Sequence, residues 1–176
     1  INSKILKHKS ISVIEKYKLP KEYLYYPAQT WYHKNHITLL KAFKLLTKKY
    51  PQVFLILSGS IQNNHKNVLK YIKDNSLKVK HLGYIDYDDL PYIYANSKML
   101  VLPTLFESIS IPIWEAFSLG VPVCSSNAVA LPEQVGDAGI LFDPKDPIDI
   151  FDKIKTLLGD SIKREEMVIM GKNKVE

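Results

Sequence analysis

Residues 99–117 read MLVLPTLFESISIPIWEAF, and the fold prediction depends on the pattern in this stretch. Its first four residues are all apolar, which is typical of a strand buried on both faces of a parallel sheet. A turn of small residues follows. An apolar stretch then follows from Ile111, with Pro112 near its start. The first turn of a helix tolerates proline because backbone N–H groups in that turn have no partner within the helix. The segment therefore predicts a strand, a turn and a helix in succession.

The same alternation extends along the chain on both sides of this segment. Short apolar runs predict strands, and longer stretches with apolar residues at helical spacing predict helices. Strands that alternate with helices form parallel sheets covered on both faces, so we expect one α/β, Rossmann-like domain over residues 1–176 with about six strands. Asp88 is expected to cap the helix that it begins. The predicted strands are 23–26, 53–57, 79–82, 99–102, 121–124 and 139–142, and the predicted helices are 35–50, 64–75, 111–119, 131–135, 147–158, one from 88 and one from 161.

Composition excludes several classes of function. The 176 residues include one cysteine, Cys124, so the chain can form neither an internal disulfide nor a zinc cluster of cysteines. The formal net charge of +6 suits anionic partners such as nucleotides, anionic lipid or nucleic acid. The lysines are scattered over predicted helices, and most of them are expected to cover solvated surface. No nucleic-acid-binding motif is present, and no apolar run approaches the ~20 residues of a membrane span.

The turn before the helix at residue 111 is the strongest candidate for a site. Ligands of parallel α/β sheets bind beyond the carboxyl ends of the strands. The unpaired amides at a helix N-terminus can hold a phosphate there. Glu107 and Glu115 lie eight residues apart on either side of these amides, and a carboxylate can accept hydrogen bonds from vicinal hydroxyls. Glu115 interrupts an apolar helix, which leaves two alternatives: a carboxylate with a specific partner, or one exposed on the outer face.

This segment resembles the E-x7-E signature of retaining glycosyltransferases of family 4. Glu107 and Glu115 match the two glutamates, and Ala116 with residues 120–123 (GVPV) matches the sequence that follows them. The resemblance implies a two-domain GT-B enzyme, of which this chain is the C-terminal, donor-binding half. It also implies that Glu107 contacts the donor sugar and Glu115 the ribose. The amides of Ser108, Ile109, Ser110 and Ile111 would hold the diphosphate, although the family usually has glycines where the two serines stand.

A second match lies at the first strand-to-helix turn, residues 27–36. The family commonly has an arginine and, five residues later, a lysine that both face the donor diphosphate. Lys34 matches the lysine, whereas the uncharged Gln29 stands where the arginine would be. By resemblance Lys34 would neutralise the leaving diphosphate as a metal ion does elsewhere, so we expect no metal and no cofactor. His33 and His36 flank Lys34 without the spacing of strong metal ligands.

Three further segments match the family in order along the chain. Residues 57–60 correspond to the small-residue turn that contains Gly59. Residues 81–85 with 88–90 correspond to a segment whose backbone, here at Tyr84 and Ile85, meets the nucleobase. Residues 131–144 correspond to a mainly architectural segment, in which Glu133 is expected to be structural. The resemblance extends from about residue 23 to about residue 158.

The implied reaction is transfer of a hexosyl group from a UDP- or GDP-sugar to a saccharide or lipid-linked acceptor. The aromatic-rich turn at 31–34 resembles that of mannosyl- or related hexosyltransferases, which implies a role in surface polysaccharide or glycoconjugate synthesis. The chain begins without Met, so we interpret it as a fragment whose acceptor domain is absent, inactive alone but able to bind nucleotide. We expect it in the cytoplasm, with salt-sensitive peripheral contact to the inner face of the membrane as a further expectation. A non-catalytic nucleotide-binding or interaction module is the alternative, and a sugar-nucleotide epimerase is a weaker one.

Overall fold

The computed structural model describes residues 3–176, which form six strands and eight α-helices. The strands are β1 (Tyr23–Pro27), β2 (Phe54–Ser58), β3 (Val79–His81), β4 (Met99–Leu102), β5 (Val123–Ser126) and β6 (Gly139–Phe142). The helices are α1 (Ser3–Lys16), α2 (His36–Lys49), α3 (His65–Asp74), α4 (Leu90–Ala95), α5 (Ile111–Ser118), α6 (Leu131–Val135), α7 (Pro147–Gly159) and α8 (Ser161–Asn173). Short 3-10 turns lie at Tyr32–Lys34 and Gly136–Ala138.

The six strands form one parallel sheet in the order β3-β2-β1-β4-β5-β6. The order reverses between β1 and β4, where Tyr25 of β1 pairs with Leu100 of β4 on one side and Ile56 of β2 on the other. This is the doubly wound arrangement in which ligands bind at the carboxyl ends of the strands on either side of the reversal. The Rossmann-like parallel sheet predicted from the sequence is confirmed.

Strand β1 contributes three buried tyrosines whose hydroxyl groups all have partners. The hydroxyl of Tyr23 donates to the carbonyl oxygen of Ile93 at 2.6 Å. The hydroxyl of Tyr25 shares a hydrogen bond with Ser58 Oγ at 2.7 Å, and that of Tyr26 donates to the carbonyl oxygen of Lys34 at 2.7 Å. A buried phenol needs such a partner because an unsatisfied hydroxyl costs free energy. The central strand is therefore tied directly to helix α4, to β2 and to the turn that carries Lys34.

Apart from shifts of one residue at the ends of several elements, the structure differs from the sequence prediction at three places. Helix α1 was not predicted. Asp88 does not cap α4: the helix begins at Leu90 after Asp89, whose carboxylate instead accepts hydrogen bonds from Lys16 and Tyr17. Strand β5 begins two residues later than predicted because the residues that follow α5 still cap its C-terminus, where the amide of Val121 donates to the carbonyl oxygen of Ala116 at 2.8 Å.

None of the helices formed by residues 3–176 has both the length and the apolar character needed to cross a bilayer.

Candidate functional site

The loops after β1 and β4 lie side by side at the carboxyl edge of the sheet and are joined by hydrogen bonds. The amide of Leu105 donates to the carbonyl oxygen of His33 at 2.8 Å, and Thr104 Oγ1 donates to the same oxygen at 3.2 Å. These contacts cross the point at which the strand order reverses. They hold the segment that carries Lys34 against the segment that carries Glu107.

Asn35 also stabilises the junction between the loops after β1 and β4. It is 8% exposed and adopts a left-handed backbone conformation (φ 59°, ψ 35°), which asparagine tolerates better than most residues. Its side-chain nitrogen Nδ2 donates to the carbonyl oxygens of Pro103 at 2.9 Å and of Pro144 at 2.7 Å. Its Oδ1 accepts a hydrogen bond from Thr38 Oγ1 at 2.7 Å. One side chain therefore fixes the loops after β1, β4 and β6 relative to the start of α2.

Lys34 and Glu107, which lie 73 residues apart in the sequence, form an ion pair across this junction. The distance from Lys34 Nζ to Glu107 Oε2 is 2.6 Å, and the two side chains are 19% and 17% exposed. The backbone of Lys34 is held by the hydroxyl of Tyr26. Because the pair is shielded but still reaches the surface, an anionic ligand can approach the lysine, and hydroxyl groups can approach the carboxylate.

The turn before α5 presents part of the predicted phosphate site. Ser108, Ile109 and Ile111 are exposed, whereas Ser110 is fully buried. The Ser110 amide donates to Gln134 Oε1 at 2.9 Å, and Gln134 Nε2 donates to the Ser110 carbonyl oxygen at 2.6 Å. The Ser110 amide is therefore already engaged in this arrangement. Gln134 was missed from the sequence because its segment, 131–144, matched a part of the family pattern that is mainly architectural.

Glu115 is half-buried and has a specific partner, so it is not the freely exposed outer-face residue of the second alternative. The hydroxyl of Tyr94, on α4, donates to Glu115 Oε2 at 2.7 Å. Both side chains line a pocket of about 300 Å³ between α4 and α5, together with Leu90 and Trp114. The pocket combines apolar walls with one carboxylate, which is a common composition for a small-molecule site.

Gln29 and Gly59 lie together at the ends of β1 and β2. Trp31 Nε1 donates to Gln29 Oε1 at 2.7 Å, and since an indole N–H can only donate, the amide nitrogen of Gln29 is directed away from Trp31. Gly59 has φ +119°, and a Cβ there would lie 2.7 Å from the carbonyl carbon of Ala28 and 2.8 Å from the amide nitrogen of Gln29. Glycine is therefore required for the close approach of these two turns.

The turn after β3 is joined to the turn after β2 by a backbone hydrogen bond between two glycines. The amide of Gly59 donates to the carbonyl oxygen of Gly83 at 2.8 Å. Beyond Gly83, the side chain of Tyr84 is 81% exposed while Ile85 is 8% exposed. Tyr87, three residues after Tyr84, lines the same pocket as Glu115. The predicted nucleobase segment thus lies next to the phosphate-site turns and leads to the pocket that contains the second glutamate.

Three histidines pack behind the loops after β1 and β2. The rings of His65 and His81 are 5.0 Å apart between centroids, and the fully buried His36 lies 4.8 Å from the ring of Tyr26. Burial lowers the pKa of His36 to about 3, with a smaller contribution from His81, and burial also lowers the pKa of His81. His33, by contrast, is exposed. Among residues 9–176, whose side chains the structure describes, histidine, cysteine, aspartate and glutamate form no group of three or more that could hold a metal ion.

Comparison with known proteins extends over nearly the whole chain. The profile of the family described as "Glycosyl transferases group 1" matches residues 8–174. The O-antigen chain mannosyltransferase B of Escherichia coli is 38% identical over 169 residues, which cover 92% of this chain and 43% of that protein. The chain therefore spans less than half the length of this relative.

Solved structures share the fold. The C-terminal domain of the group 1 family protein LpcC from Francisella tularensis superposes with a TM-score of 0.81 at 24% identity, covering 93% of this chain and 89% of that one. Anabaena HepE, solved in complex with UDP and glucose, superposes with a TM-score of 0.83 at 21% identity, covering 96% of this chain and 47% of that one. With the family profile matched along 8–174, this chain belongs to the group 1 glycosyl transferases.

Proposed function

We propose that this chain is the donor-binding half of a retaining GT-B glycosyltransferase and that an N-terminal domain outside residues 1–176 binds the acceptor. The observation that carries the proposal is the contact between Lys34 Nζ and Glu107 Oε2 at 2.6 Å, beside the start of α5. It brings a cation and a carboxylate from two separate loops to one point at the carboxyl edge of the sheet. A sugar diphosphate needs one cation for its phosphates and one acceptor for its sugar hydroxyls, and this pair supplies both.

In the proposed reaction the bond between the sugar anomeric carbon and the diphosphate oxygen breaks, the acceptor oxygen bonds to the same face of that carbon, and the proton of the acceptor hydroxyl passes to the departing diphosphate. Negative charge develops on the departing diphosphate, where the Lys34 ammonium stabilises it. The amides of Ser108, Ile109 and Ile111 add donors at the positive end of the α5 dipole. Glu107 accepts hydrogen bonds from the sugar hydroxyls, and Glu115 accepts them from the ribose. Because Lys34 provides the charge, EDTA should leave donor binding unchanged.

The donor we propose is a UDP- or GDP-hexose. The Escherichia coli relative is an O-antigen chain mannosyltransferase, which favours mannosyl transfer in surface polysaccharide synthesis. The HepE structure contains UDP and glucose, which supports a sugar nucleotide as the ligand of this fold. A saccharide or lipid-linked acceptor would bind to the other domain.

Calorimetric titration with UDP, GDP, UDP-glucose and GDP-mannose tests the donor site directly. We expect at least one of them to bind, and Glu115→Ala to weaken that binding by roughly 10- to 150-fold, because a hydrogen bond to a charged group contributes ~1.5–3 kcal/mol. Glu166→Ala, which removes an exposed glutamate from α8, is the matched control and should bind as the wild type does. Failure of all four ligands to bind, or equal binding by Glu115→Ala, would contradict the proposal.

A second candidate is a nucleotide-binding module without catalysis. Two observations favour it: Gln29 carries no charge where the family commonly has an arginine, and the Ser110 amide is engaged with Gln134. Both candidates predict nucleotide binding by this chain. Transfer of sugar by the longer protein that contains it would exclude the second candidate, and nucleotide binding without any turnover by that protein would favour it.

We also propose a cytoplasmic protein with peripheral contact to the inner face of the membrane, through scattered lysines. Such contact is electrostatic and should weaken as salt screens it. Sedimentation with anionic vesicles at low and high salt tests this, and binding that persists at high salt would contradict it.

A further inference from the structure

The hydrogen bond between Tyr94 and Glu115 joins two helices at the wall of the 300 Å³ pocket. Tyr94 is fully buried, and its hydroxyl donates to Glu115 Oε2 at 2.7 Å. Burial raises the pKa of Tyr94, and the negative charge of Glu115 raises it further, so the phenol remains protonated and remains a donor. The contact is therefore a fixed, charge-assisted hydrogen bond from the protein interior to a carboxylate at the pocket.

The tyrosine ring is itself held in place. It packs edge-to-face on the ring of Tyr25, with centroids 4.9 Å apart and an angle of 87° between the ring planes. The hydroxyl of Tyr25 is in turn hydrogen-bonded to Ser58 Oγ. Helix α4 is anchored to the central strand by the bond from Tyr23 to the carbonyl oxygen of Ile93, next to Tyr94. The donor that reaches Glu115 therefore cannot shift without disturbing the centre of the sheet.

This arrangement divides the two oxygens of the carboxylate between two tasks. Oε2 accepts from Tyr94, whereas Oε1 accepts no hydrogen bond from the part of the chain that the structure describes. A glutamate has three rotatable side-chain bonds, and a ligand that must order them loses affinity in proportion. An oxygen already fixed by Tyr94 leaves the other one preorganised for a ligand hydroxyl.

We propose that Tyr94 is a positioning residue that orients Glu115 toward the ribose hydroxyls of the bound nucleotide and thereby sets a preference for ribonucleotides over deoxyribonucleotides. This inference rests on the proposed function, because it takes the ligand of Glu115 to be the ribose of the donor. Tyr94 acts only through Glu115 and does not contact the reacting atoms.

The test compares a nucleotide with its dideoxy form. Calorimetry measures the affinity of whichever of UDP and GDP binds more tightly, and of its 2′,3′-dideoxy analogue. We expect wild-type protein to prefer the ribose form by about tenfold or more, because only that form has hydroxyls that can donate to the charged Glu115 carboxylate. Tyr94→Phe should reduce that preference by about three- to tenfold while leaving the affinity for the dideoxy form nearly unchanged. The substitution removes one oxygen and keeps the ring that packs on Tyr25.

Tyr23→Phe is the matched control because it removes another buried hydroxyl that contacts helix α4, at Ile93, without contacting Glu115. It should lower the melting temperature and keep the full ribose preference. If Tyr94→Phe lowers the melting temperature but keeps the preference, Tyr94 is merely structural and the inference is overturned, while the proposed function stands. If the wild-type protein binds neither nucleotide, the proposed function fails and the inference fails with it.

Discussion

Lys34 and Glu107 should affect the binding of a bare nucleoside diphosphate in opposite directions. Lys34→Met removes the cation and leaves the Glu107 carboxylate uncompensated in a position that is 17% exposed. A hydrogen bond to a charged partner contributes ~1.5–3 kcal/mol, so the affinity for UDP or GDP should fall roughly 10- to 150-fold. The diphosphate then also meets an unpaired negative charge, which places the expected loss toward the upper end of this range.

Glu107→Gln should instead strengthen the binding of the bare diphosphate. At an effective dielectric constant of about 20, two like charges about 8 Å apart repel by about 2 kcal/mol. Part of this repulsion is cancelled by Lys34, whose Nζ lies 2.6 Å from Glu107 Oε2. A net gain on the order of 1 kcal/mol, or about fivefold, is therefore expected. The corresponding nucleotide sugar should lose this advantage, because the amide of glutamine is a weaker acceptor for its hydroxyls.

Calorimetry on wild type, the two single variants and the double variant measures these effects at one salt concentration. Lys70→Met is the matched control, because it breaks an exposed ion pair with Asp74 of the same 2.6 Å length and should leave binding unchanged. If Glu107→Gln weakens the bare diphosphate, or if Lys34→Met binds as the wild type does, the pair does not face the diphosphate and the assignment of the site is wrong.

Three further predictions follow from neighbouring residues. The pKa of buried His36 lies near 3, below its unfolded value of 6.5, so its stabilisation is complete above pH ~6.5 and is lost as pH falls toward 3. The free energy of unfolding, measured by urea titration, should therefore decrease by about 2 kcal/mol as the pH is lowered from ~8 to ~5. His36→Leu should reduce this dependence on pH, whereas His33→Gln, at an exposed position, should not. Gly59→Ala should lower the free energy of unfolding by ~1–3 kcal/mol or more. Gly83→Ala should cost less, because Gly83 also has positive φ but has nothing within 4 Å of an added Cβ. Equal losses for the two variants would contradict the close contact between Gly59 and Ala28. Gln29→Arg should tighten diphosphate binding by about 5- to 10-fold with a steeper salt dependence, and an unchanged affinity at low salt would place residue 29 outside the diphosphate site.

The central strands, such as β2 and β4, were predictable because burial on both faces of a parallel sheet requires continuous apolar runs. The run at 99–102 became β4 without any change of bounds, and 139–142 became β6. Helix α1 was missed because lysines are interspersed among its apolar positions, of which Val13 is buried whereas Ile11 is 49% exposed. Such a mixture of buried and exposed apolar positions gives little periodic signal.

The side-chain partners within the site could not be predicted in the same way. Family resemblance indicated Lys34, Glu107 and Glu115 one by one, but the contact between Lys34 and Glu107 joins residues 73 positions apart. The contact between Tyr94 and Glu115 joins residues 21 positions apart on different helices. Such pairs depend on how loops and helices pack on the finished sheet, and no local spacing rule encodes that packing.

Asn35 has a consequence for attempts to exchange loops between relatives of this chain. Its single amide group connects the carbonyl oxygens of Pro103 and Pro144, so the loops after β1, β4 and β6 are held together as one unit. Consider a chimaera in which one of these loops is exchanged and position 35 is no longer asparagine. The buried carbonyl oxygens at positions 103 and 144 would then lack the donor that they share here. We therefore expect an exchange to preserve the fold when the loops after β1, β4 and β6 are replaced together, and to destabilise it when one loop is replaced alone.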